Sequence, residues 1–379
     1  MARKTARQLT CACLLGSTLL LTIQLAWSKD LVVAQIGALS AKPVPEVVQL
    51  GQGMQALFTA VNARGGVNGN RVDFFQLDDA LDPTRFVQRF HEALERKPLA
   101  LLSPFGSPSV QRMLSEKLLD SADIVVINAV PGAEAFREPG HPKLFHVRAG
   151  DGQQIAKVTQ HVRTLGLERM GMLFVDAPGG HSGLKAAQIA AKEIGALEVT
   201  GFKASLAPDS VAAAAQALVQ AKMQSALVLG PPSFMAEAVG ALRQVGGSFP
   251  VFALSYIGPE DLTLLVGSGA ARGTGIAQAF PNPMGARSPL QREFNAAMRK
   301  AFPELQLYTS FHMEGYLCAR LFVEAAKRME KPTPTELARV LKSAGEMDFG
   351  GFRLDFSQGS AGSRFVDIGV VDYRGHLNY

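Results

Sequence analysis

The sequence contains few of the residues that build disulfide-stabilised proteins. Its 379 residues include only three cysteines and one tryptophan. Cys11 and Cys13 lie near the N-terminus, so Cys318 is alone in the rest of the chain, where an intrachain disulfide is therefore excluded. Cys318 falls in an apolar helical pattern over residues 315–326, which favours a buried core position. The stability of the fold must then come from the size of its core.

The charge balance excludes a typical nucleic-acid-binding protein. The chain has 38 basic and 33 acidic residues, and three of the basic ones lie in the first ten positions. Runs of Lys and Arg interleaved with aromatic residues are missing, so we expect no nucleic-acid partner. A hydrophobic content of 47% excludes a mostly disordered chain. A length above about 300 residues predicts two lobes.

The N-terminal 28 residues have the layout of a secretory signal peptide. Residues 1–10 are basic and polar, residues 11–25 are apolar, and Ala26 and Ser28 are small residues at the −3 and −1 positions of a cleavage site. We expect cleavage near Ser28 and export to the periplasm. An uncleaved membrane anchor and a lipoprotein acylated at Cys13 are the alternatives. No later segment is long and apolar enough to predict a membrane span.

The remaining sequence alternates between short β-rich runs and longer helical patterns. Strands are predicted over residues 31–37, 71–77, 99–103, 124–128, 170–175, 199–203, 226–229 and 251–254. Helices are predicted over residues 48–63, 82–96, 109–119, 153–165, 182–194, 210–221 and 234–245. This alternation predicts an α/β fold of two doubly wound lobes with parallel sheets. Ligands of such sheets bind outside the carboxyl ends of the strands.

Motifs for catalysis, metals or cofactors are weak. Residues 180–183 (G-H-S-G) lack the glycine at position 184 that a nucleophile elbow needs, so Ser182 is better explained as a loop contact or a helix N-cap. Residues 51–56 match G-x-G-x-x-A but lie too far from the preceding strand for a dinucleotide site, and two glycines on a packed helix face explain them. The pair Asp78-Asp79 is interpreted as turn chemistry. We therefore expect no enzyme activity, no cofactor and no metal.

Small hydroxyl and aromatic residues occupy the loops that follow the predicted strands. Serine hydroxyls and free backbone N–H groups where a helix begins suit a carboxylate or other anion, although serine is also an ordinary N-cap. A few polar groups with aromatic walls between two lobes are typical of a small-molecule site. The candidate ligand-binding residues are Phe105, Ser107, Ser109, Val130, Gly132, Ser233, Phe234, Ser255 and Tyr256.

Several short stretches, taken together and in order, resemble one known family. They are residues 61–69 (VNARGGVNG), 78–83, 132–139, 145–148 (FHVR), 313–316 (MEGY) and 348–352 (DFGGF). The chain resembles the type I periplasmic binding proteins of the leucine/isoleucine/valine-binding kind, which are substrate-binding components of ABC importers. The resemblance covers essentially all of the chain after the signal peptide.

The resemblance implies two Rossmann-like lobes joined by a three-crossover hinge that closes on the ligand. The crossovers are expected near residues 144–148, 278–281 and 346–350. Lobe 1 would then comprise residues 29–146 and 280–346, and lobe 2 residues 147–279 and 347–379, after a signal peptide of residues 1–28. The implied partners are a small-molecule ligand and the membrane permease and ATPase subunits of an importer. A monomer is expected.

The resemblance also assigns roles by position. Ser107 matches a ligand-binding hydroxyl, and Val130 and Gly132 match the next ligand-contacting loop, where Gly132 replaces a hydroxyl residue. Ser255-Tyr256 falls where amino-acid binders place a carboxylate for the ligand's ammonium group, with Glu260-Asp261 close by. The ligand is therefore a small amino acid or an apolar or aromatic carboxylate. A signalling sensor of the same fold and an exported α/β enzyme are the alternative functions.

Overall fold

The computed structural model describes residues 30–40 and 44–379. The predicted signal peptide, residues 1–28, lies outside the described residues. Within them, no helix is both long and apolar enough to cross a membrane. Strands and helices alternate along most of the chain, which confirms the predicted α/β class.

The strands are β1 (Leu31–Gly37), β2 (Val72–Asp78), β3 (Ala100–Leu102), β4 (Val125–Ile127), β5 (Leu144–Phe145), β6 (Arg169–Val175), β7 (Glu198–Ala204), β8 (Ser225–Leu229), β9 (Val251–Ala253), β10 (Thr274–Gln278), β11 (Met347–Asp348), β12 (Arg353–Leu354), β13 (Asp367–Val371) and β14 (Leu377–Asn378). The α-helices are α1 (Pro45–Asn62), α2 (Pro83–Glu95), α3 (Ser107–Ser115), α4 (Leu118–Ser121), α5 (Asp151–Thr164), α6 (Pro178–Ile194), α7 (Pro208–Gln220), α8 (Pro232–Gln244), α9 (Pro259–Val266), α10 (Ser268–Ala271), α11 (Pro289–Ala301), α12 (Ser310–Ala326) and α13 (Pro334–Ser343). A 3₁₀ helix covers Glu134–Phe136.

Two main sheets form the two lobes. The first has the order β2-β1-β3-β4-β5 and is parallel throughout. The second has the order β14-β13-β10-β9-β8-β6-β7, and it is parallel except for β13, which runs antiparallel to both of its neighbours. Apolar clusters cover both faces of each sheet. In β1, for example, Val33 packs on one face and Ala34 and Ile36 pack on the other. Such two-sided burial explains why the strands read as continuous apolar runs.

The glycines of residues 51–56 serve helix packing, as interpreted from the sequence. Helix α1 crosses α12 so closely that a Cβ on Gly53 would overlap the carbonyl oxygen of His312. In the opposite direction, a Cβ on Gly315 would overlap the carbonyl oxygen of Leu50. Only glycine permits this approach of two helix backbones.

Three further interpretations are confirmed, the first of them the start of the helix predicted over residues 82–96. Asp82 caps α2, since its side chain accepts hydrogen bonds from the backbone N–H groups of Thr84 (2.7 Å) and Arg85 (3.1 Å). Asp79 closes a turn by accepting the N–H of Leu81 at 2.9 Å. Cys318 is buried in the core, and burial raises the pKa of its thiol. That environment is typical of an inert core cysteine.

The predicted start of the helix at residue 182 is wrong. Helix α6 begins at Pro178, a residue suited to the first helical turn. Gly180 packs against the end of β6, where a Cβ would overlap the carbonyl oxygen of Val175. Ser182 is inside the helix and donates to the carbonyl of Gly179 at 2.9 Å, so it is not an N-cap. Glycine is therefore required at position 180 by close helix–sheet packing.

The segment of residues 347–356 packs with lobe 1, although the resemblance implied a place in lobe 2. Met347, Phe349 and Phe352 belong to the apolar cluster that also contains residues of α1 and α12. The chain joins the second sheet only at β13. The reason is that the short β11–β12 hairpin buries its aromatic side chains in lobe 1 before the chain crosses to lobe 2 for the last time. The other lobe boundaries stay predictions.

Candidate ligand-binding cleft

The two lobes meet at loops that follow the carboxyl ends of their strands. The loop after β4, residues 128–133, contacts the first residue of α5, where the N–H of Asp151 donates to the carbonyl of Gly132 at 2.9 Å. The loop after β9 reaches the same point, because the phenol of Tyr256 donates to the carboxylate of Asp151. A loop from lobe 1 and two elements of lobe 2 therefore form one junction.

A fully buried guanidinium lies beneath this junction. Arg148, in the passage between β5 and α5, is 0% exposed. Its Nε donates to Glu314 of α12 at 3.0 Å, and a terminal nitrogen forms the second bond of a bidentate pair with the same carboxylate. The other terminal nitrogen donates to the hydroxyl of Ser255. Burial alone would lower the pKa of Arg148, but the Glu314 carboxylate outweighs burial and the pKa is raised. This network ties lobe 1, the crossover and lobe 2 together.

Aromatic rings surround the Arg148 guanidinium. Its central carbon lies 5.2 Å from the ring centre of Tyr256, 5.5 Å from that of Phe280 and 5.4 Å from that of Phe311. These distances are within the range of cation–π attraction. The rings also exclude water from the Arg148–Glu314 pair, which strengthens its electrostatic attraction.

Asn128 fixes the backbone of the crossover. It directly follows β4 and has a left-handed conformation with a φ of 65°, which asparagine tolerates better than most residues. Its side-chain oxygen accepts the N–H groups of Val147 (3.0 Å) and Arg148 (2.8 Å), and its amide donates to Glu314 at 2.7 Å. The buried Glu314 carboxylate thus accepts three hydrogen bonds, one from Asn128 after β4 and two from Arg148 in the crossover.

The junction leaves no room for a side chain at position 132. An ideal Cβ on Gly132 would overlap the phenol oxygen of Tyr256 and lie 2.5 Å from Oδ1 of Asp151. This crowding explains why a glycine stands where the resemblance implies a hydroxyl residue. Asp151 and Tyr256 are each partly exposed. Burial raises the pKa of the Asp151 carboxyl and of the Tyr256 phenol.

Two buried side chains beside the junction have nitrogen atoms without a hydrogen-bond partner among residues 30–40 and 44–379. Arg137 is 5% exposed and donates one N–H to the carbonyl of Arg148 at 3.0 Å, but its Nε and its other terminal nitrogen have no partner. Burial lowers the pKa of Arg137. Both ring nitrogens of His146 are likewise unpartnered. Burial, followed by the nearby Arg137 charge, lowers the pKa of His146 to about 3, so its ring is neutral.

The candidate residues of lobe 1 differ in accessibility. Ser107 is exposed at the first residue of α3, so this helix begins two residues earlier than predicted. Phe105 is half-buried, and Ser109 is 1% exposed. Val130 is 2% exposed within the lobe 1 core. Gly132 is buried at the lobe junction.

The candidate residues of lobe 2 occupy three different environments. Ser233 is exposed at the start of α8, while Phe234 is 3% exposed within the lobe 2 core. Ser255 is buried with its hydroxyl on Arg148, and Tyr256 lies at the junction. The structure thus brings Gly132, Ser255 and Tyr256 together. The predicted ligand contacts of all nine residues stay predictions.

Arg148, Asp151 and Glu314 were not among the functional residues predicted from the sequence. A charged residue within an apolar helix, as Glu314 is in α12, is a sequence signal for a buried pair, since such residues are rarely buried unpaired. Asp151 gives a weaker signal, because acidic residues are common in the first turn of helices. No group of three or more His, Cys, Asp or Glu side chains in the described part of the chain is placed to hold a metal ion.

Glu260 and Asp261, the acidic residues next to the predicted carboxylate position, lie in the first turn of α9. Burial raises the pKa of both carboxyl groups. Burial also raises the pKa of Glu46, near the start of α1, and the Asp261 charge adds to that effect. Acidic groups of the two lobes therefore interact in this region as well.

Comparisons with known proteins give consistent matches. A family model described as "Periplasmic binding protein" matches residues 47–368. The structure is similar to an extracellular ligand-binding receptor from Verminephrobacter eiseniae ef01-2, with 44% sequence identity, a TM-score of 0.88, and coverage of 92% of this chain and 100% of that chain. It is also similar to a substrate-binding periplasmic protein from Ralstonia solanacearum, with 28% identity, a TM-score of 0.81, and coverage of 92% and 99%.

A third solved structure supports the fold alone. It is described as a possible leucine/isoleucine/valine-binding protein from Rhodopirellula baltica SH 1, and it has 21% identity, a TM-score of 0.79, and coverage of 91% of this chain and 95% of that chain. No curated protein gives a significant match.

Proposed function

The chain belongs to the periplasmic binding protein family, and from this premise we propose that it is the substrate-binding receptor of an ABC importer. It captures a small amino acid or an apolar or aromatic carboxylate by closing its two lobes on the ligand. Membership confirms the resemblance and the two-lobed α/β architecture inferred from the sequence. The family consists of solute-binding proteins. The receptor would act in the periplasm and deliver its ligand to the permease and ATPase subunits.

The observation that carries this proposal is the junction of Gly132, Asp151 and Tyr256. There the buried backbone carbonyl of Gly132 from lobe 1 accepts the N–H of Asp151 from lobe 2, and the partly exposed side chains of Asp151 and Tyr256 are hydrogen-bonded to each other, after the carboxyl ends of the strands. A ligand that contacts both lobes at this point stabilises the arrangement in which the lobes are closed. The hinge therefore closes because the ligand contacts both lobes only in the closed arrangement. This motion needs no catalytic group.

Ser107 is the proposed carboxylate contact on lobe 1. Its hydroxyl is exposed at the start of α3, beside backbone N–H groups that have no partner within the helix. Both groups donate hydrogen bonds, and the positive end of the helix favours an anion.

A thermal-shift screen tests the proposed function. The full chain is expressed with export, and the protein is purified from the periplasm. The panel contains branched and aromatic amino acids, their deaminated acids, short amides and dicarboxylates. A compound at 100 times its dissociation constant adds about 2.7 kcal/mol to the free energy of unfolding, enough to raise the melting temperature measurably.

Small-angle scattering tests the closure. A compound that raises the melting temperature should also reduce the radius of gyration, because the lobes approach each other. A protein that no panel compound stabilises would contradict the proposed substrate classes. Stabilisation with an unchanged scattering profile would contradict closure between the lobes.

A further inference from the structure

A second cavity lies where the first and last passages between the lobes meet. We call it the hinge cavity, and it is lined by residues 139–142, 144–145, 342, 356–357 and 359–360. Its volume is about 380 Å³, within the range of roughly 300–1,000 Å³ that is usual for small-molecule sites. None of the described residues that line it belongs to the candidate cleft. The hinge cavity is therefore a separate place for a ligand.

The floor of the hinge cavity is apolar. Leu144, Phe145 and Phe356 are at most 2% exposed, and the rings of Phe145 and Phe356 pack edge to face with their centres 5.3 Å apart. Pro139 and Pro142 line the same cavity. An apolar or aromatic body placed here removes apolar surface from water, which favours its binding.

The walls of the hinge cavity belong to the segments that form the hinge. The N–H of His146, in the first passage, donates to the carbonyl of Ser360 at 2.7 Å, and the N–H of Gly362 donates to the carbonyl of His146 at 2.9 Å. Residues 360–362 lie in the last passage, between β12 and β13. Gly140 packs so close to this passage that its Cβ would lie 2.9 Å from the hydroxyl oxygen of Ser360. A molecule in the hinge cavity therefore contacts the last passage where that passage is hydrogen-bonded to the first.

Lys342 gives the hinge cavity a positive charge. It lies in the last turn of α13 and is exposed, and within residues 30–40 and 44–379 its ammonium group has no hydrogen bond or ion pair. The ring of His141, which also lines the cavity, is already engaged, since it accepts the N–H of Lys143 at 3.1 Å and contacts the carboxylate of Asp120 at 2.9 Å. No carboxylate is among the described lining residues. The Lys342 charge therefore complements an anionic group.

We propose that the hinge cavity binds a second small molecule, an apolar or aromatic anion whose negative group pairs with Lys342, and that its occupancy strengthens binding in the cleft. The occupant holds the last passage against residues 139–145 in the arrangement in which Gly132 of lobe 1 meets Asp151 of lobe 2. A molecule that binds one of two arrangements preferentially shifts the protein towards it. The two sites are then coupled, and the coupling is reciprocal. Binding in the hinge cavity is independent of the proposed function, whereas its effect on the cleft rests on that function.

Isothermal titration with 2-naphthoate and its neutral analogue 2-naphthamide tests the hinge cavity, because the two probes have nearly the same shape and differ in charge. The acid should bind the unaltered protein about 5-fold more tightly than the amide, the upper end for an ion pair that water can reach. Lys342→Met should remove this preference. Lys300→Met is the matched control, since Lys300 is also an exposed lysine in the last turn of a helix, and it should keep the preference. Ser357→Trp fills the cavity from an exposed lining position and should weaken binding of both probes by roughly 10-fold or more.

The possible results each support or overturn the hinge site. Melting temperatures show whether the variants are folded. The site is refuted if neither probe binds, if both bind the unaltered protein equally, or if their binding survives Ser357→Trp. A loss of 2-naphthoate binding in Tyr256→Ala without a loss in Ser357→Trp would place the probe in the cleft and would also refute the site.

The coupling is measured with the cleft ligand found by the thermal-shift screen. Saturating 2-naphthoate should lower the Kd of that ligand about 5-fold, the low end of typical coupling between sites, and Ser357→Trp should remove the effect. An unchanged Kd would refute the coupling. A protein that binds 2-naphthoate in the hinge cavity but binds no compound of the screen would refute the proposed function and leave the hinge site standing.

Discussion

Replacing Glu314 by glutamine should destabilise the protein strongly, although the two side chains have the same shape. The carboxylate of Glu314 is 0% exposed and forms a bidentate pair with Arg148, which is also 0% exposed. Glutamine keeps one oxygen acceptor for the Nε of Arg148. Its amide nitrogen would face the terminal nitrogen of the guanidinium, so two donors would oppose each other.

The magnitude follows from the burial of both partners. Removal of one partner from a buried pair leaves an uncompensated charge and costs about 3–5 kcal/mol. We expect about 3 kcal/mol for Glu314→Gln, the lower end of that range, because one acceptor remains and Ser255 still accepts from Arg148. At roughly 2 °C per kcal/mol, the melting temperature should fall by about 6 °C.

Urea unfolding followed by circular dichroism measures this change as a shift of the midpoint at constant slope. Glu336→Gln is the matched control, since Glu336 also forms a bidentate pair with an arginine, Arg339, but at the surface. Its midpoint should hardly move, because water screens exposed pairs. Equal midpoints for the two variants would refute the conclusion that Glu314 neutralises a desolvated guanidinium.

Three other changes have defined outcomes. Ser107→Ala should weaken binding of the ligand found by the thermal-shift screen without lowering the melting temperature, and unchanged affinity in titration calorimetry would remove Ser107 from the site. Gly53→Ala should lower the free energy of unfolding in urea by roughly 1–3 kcal/mol, because its methyl group overlaps the His312 carbonyl oxygen. The control Gly179→Ala, with no atom within 4 Å of its methyl group, should be neutral or stabilising. A similar loss of stability in both variants would contradict the explanation by helix packing. The pKa of His146 is lowered from 6.5 to about 3 in the folded protein, so the unfolded chain binds the proton first, and stability present above pH 6.5 is lost as the pH falls. Between pH 6.5 and 5 this amounts to about 2 kcal/mol, and His146→Gln should show a correspondingly flatter decrease of stability with pH; a slope equal to that of the unaltered protein would refute the buried neutral imidazole.

The sequence determined the element types and their order, because these depend on local patterns. Apolar runs of strand length, helical periodicity and the Asp82-Pro83 helix start are properties of neighbouring residues, and the structure confirms the strands and helices that they predict, with ends that differ by a few residues. Alternation of the two types then restricts the sheets to parallel crossovers. The prediction failed at the start of α6, where the local sequence pattern is compatible with either a loop or a helix. Residues 178–181 were expected to precede the helix, but they form its first turn, where Gly180 packs against the end of β6.

Only the tertiary structure decided which side chains meet at the cleft. Asp151 and Tyr256 are 105 residues apart in the chain, and Arg148 and Glu314 are 166 apart. No local pattern encodes those contacts, because they arise from the way the crossover places one sheet's loops against the other's. Ser255 illustrates the difference: its position after a strand predicted a ligand contact, whereas folding brings its hydroxyl to a buried guanidinium. The sequence predicted a ligand site after the carboxyl ends of the strands, and the packing of the two lobes decided which side chains meet there.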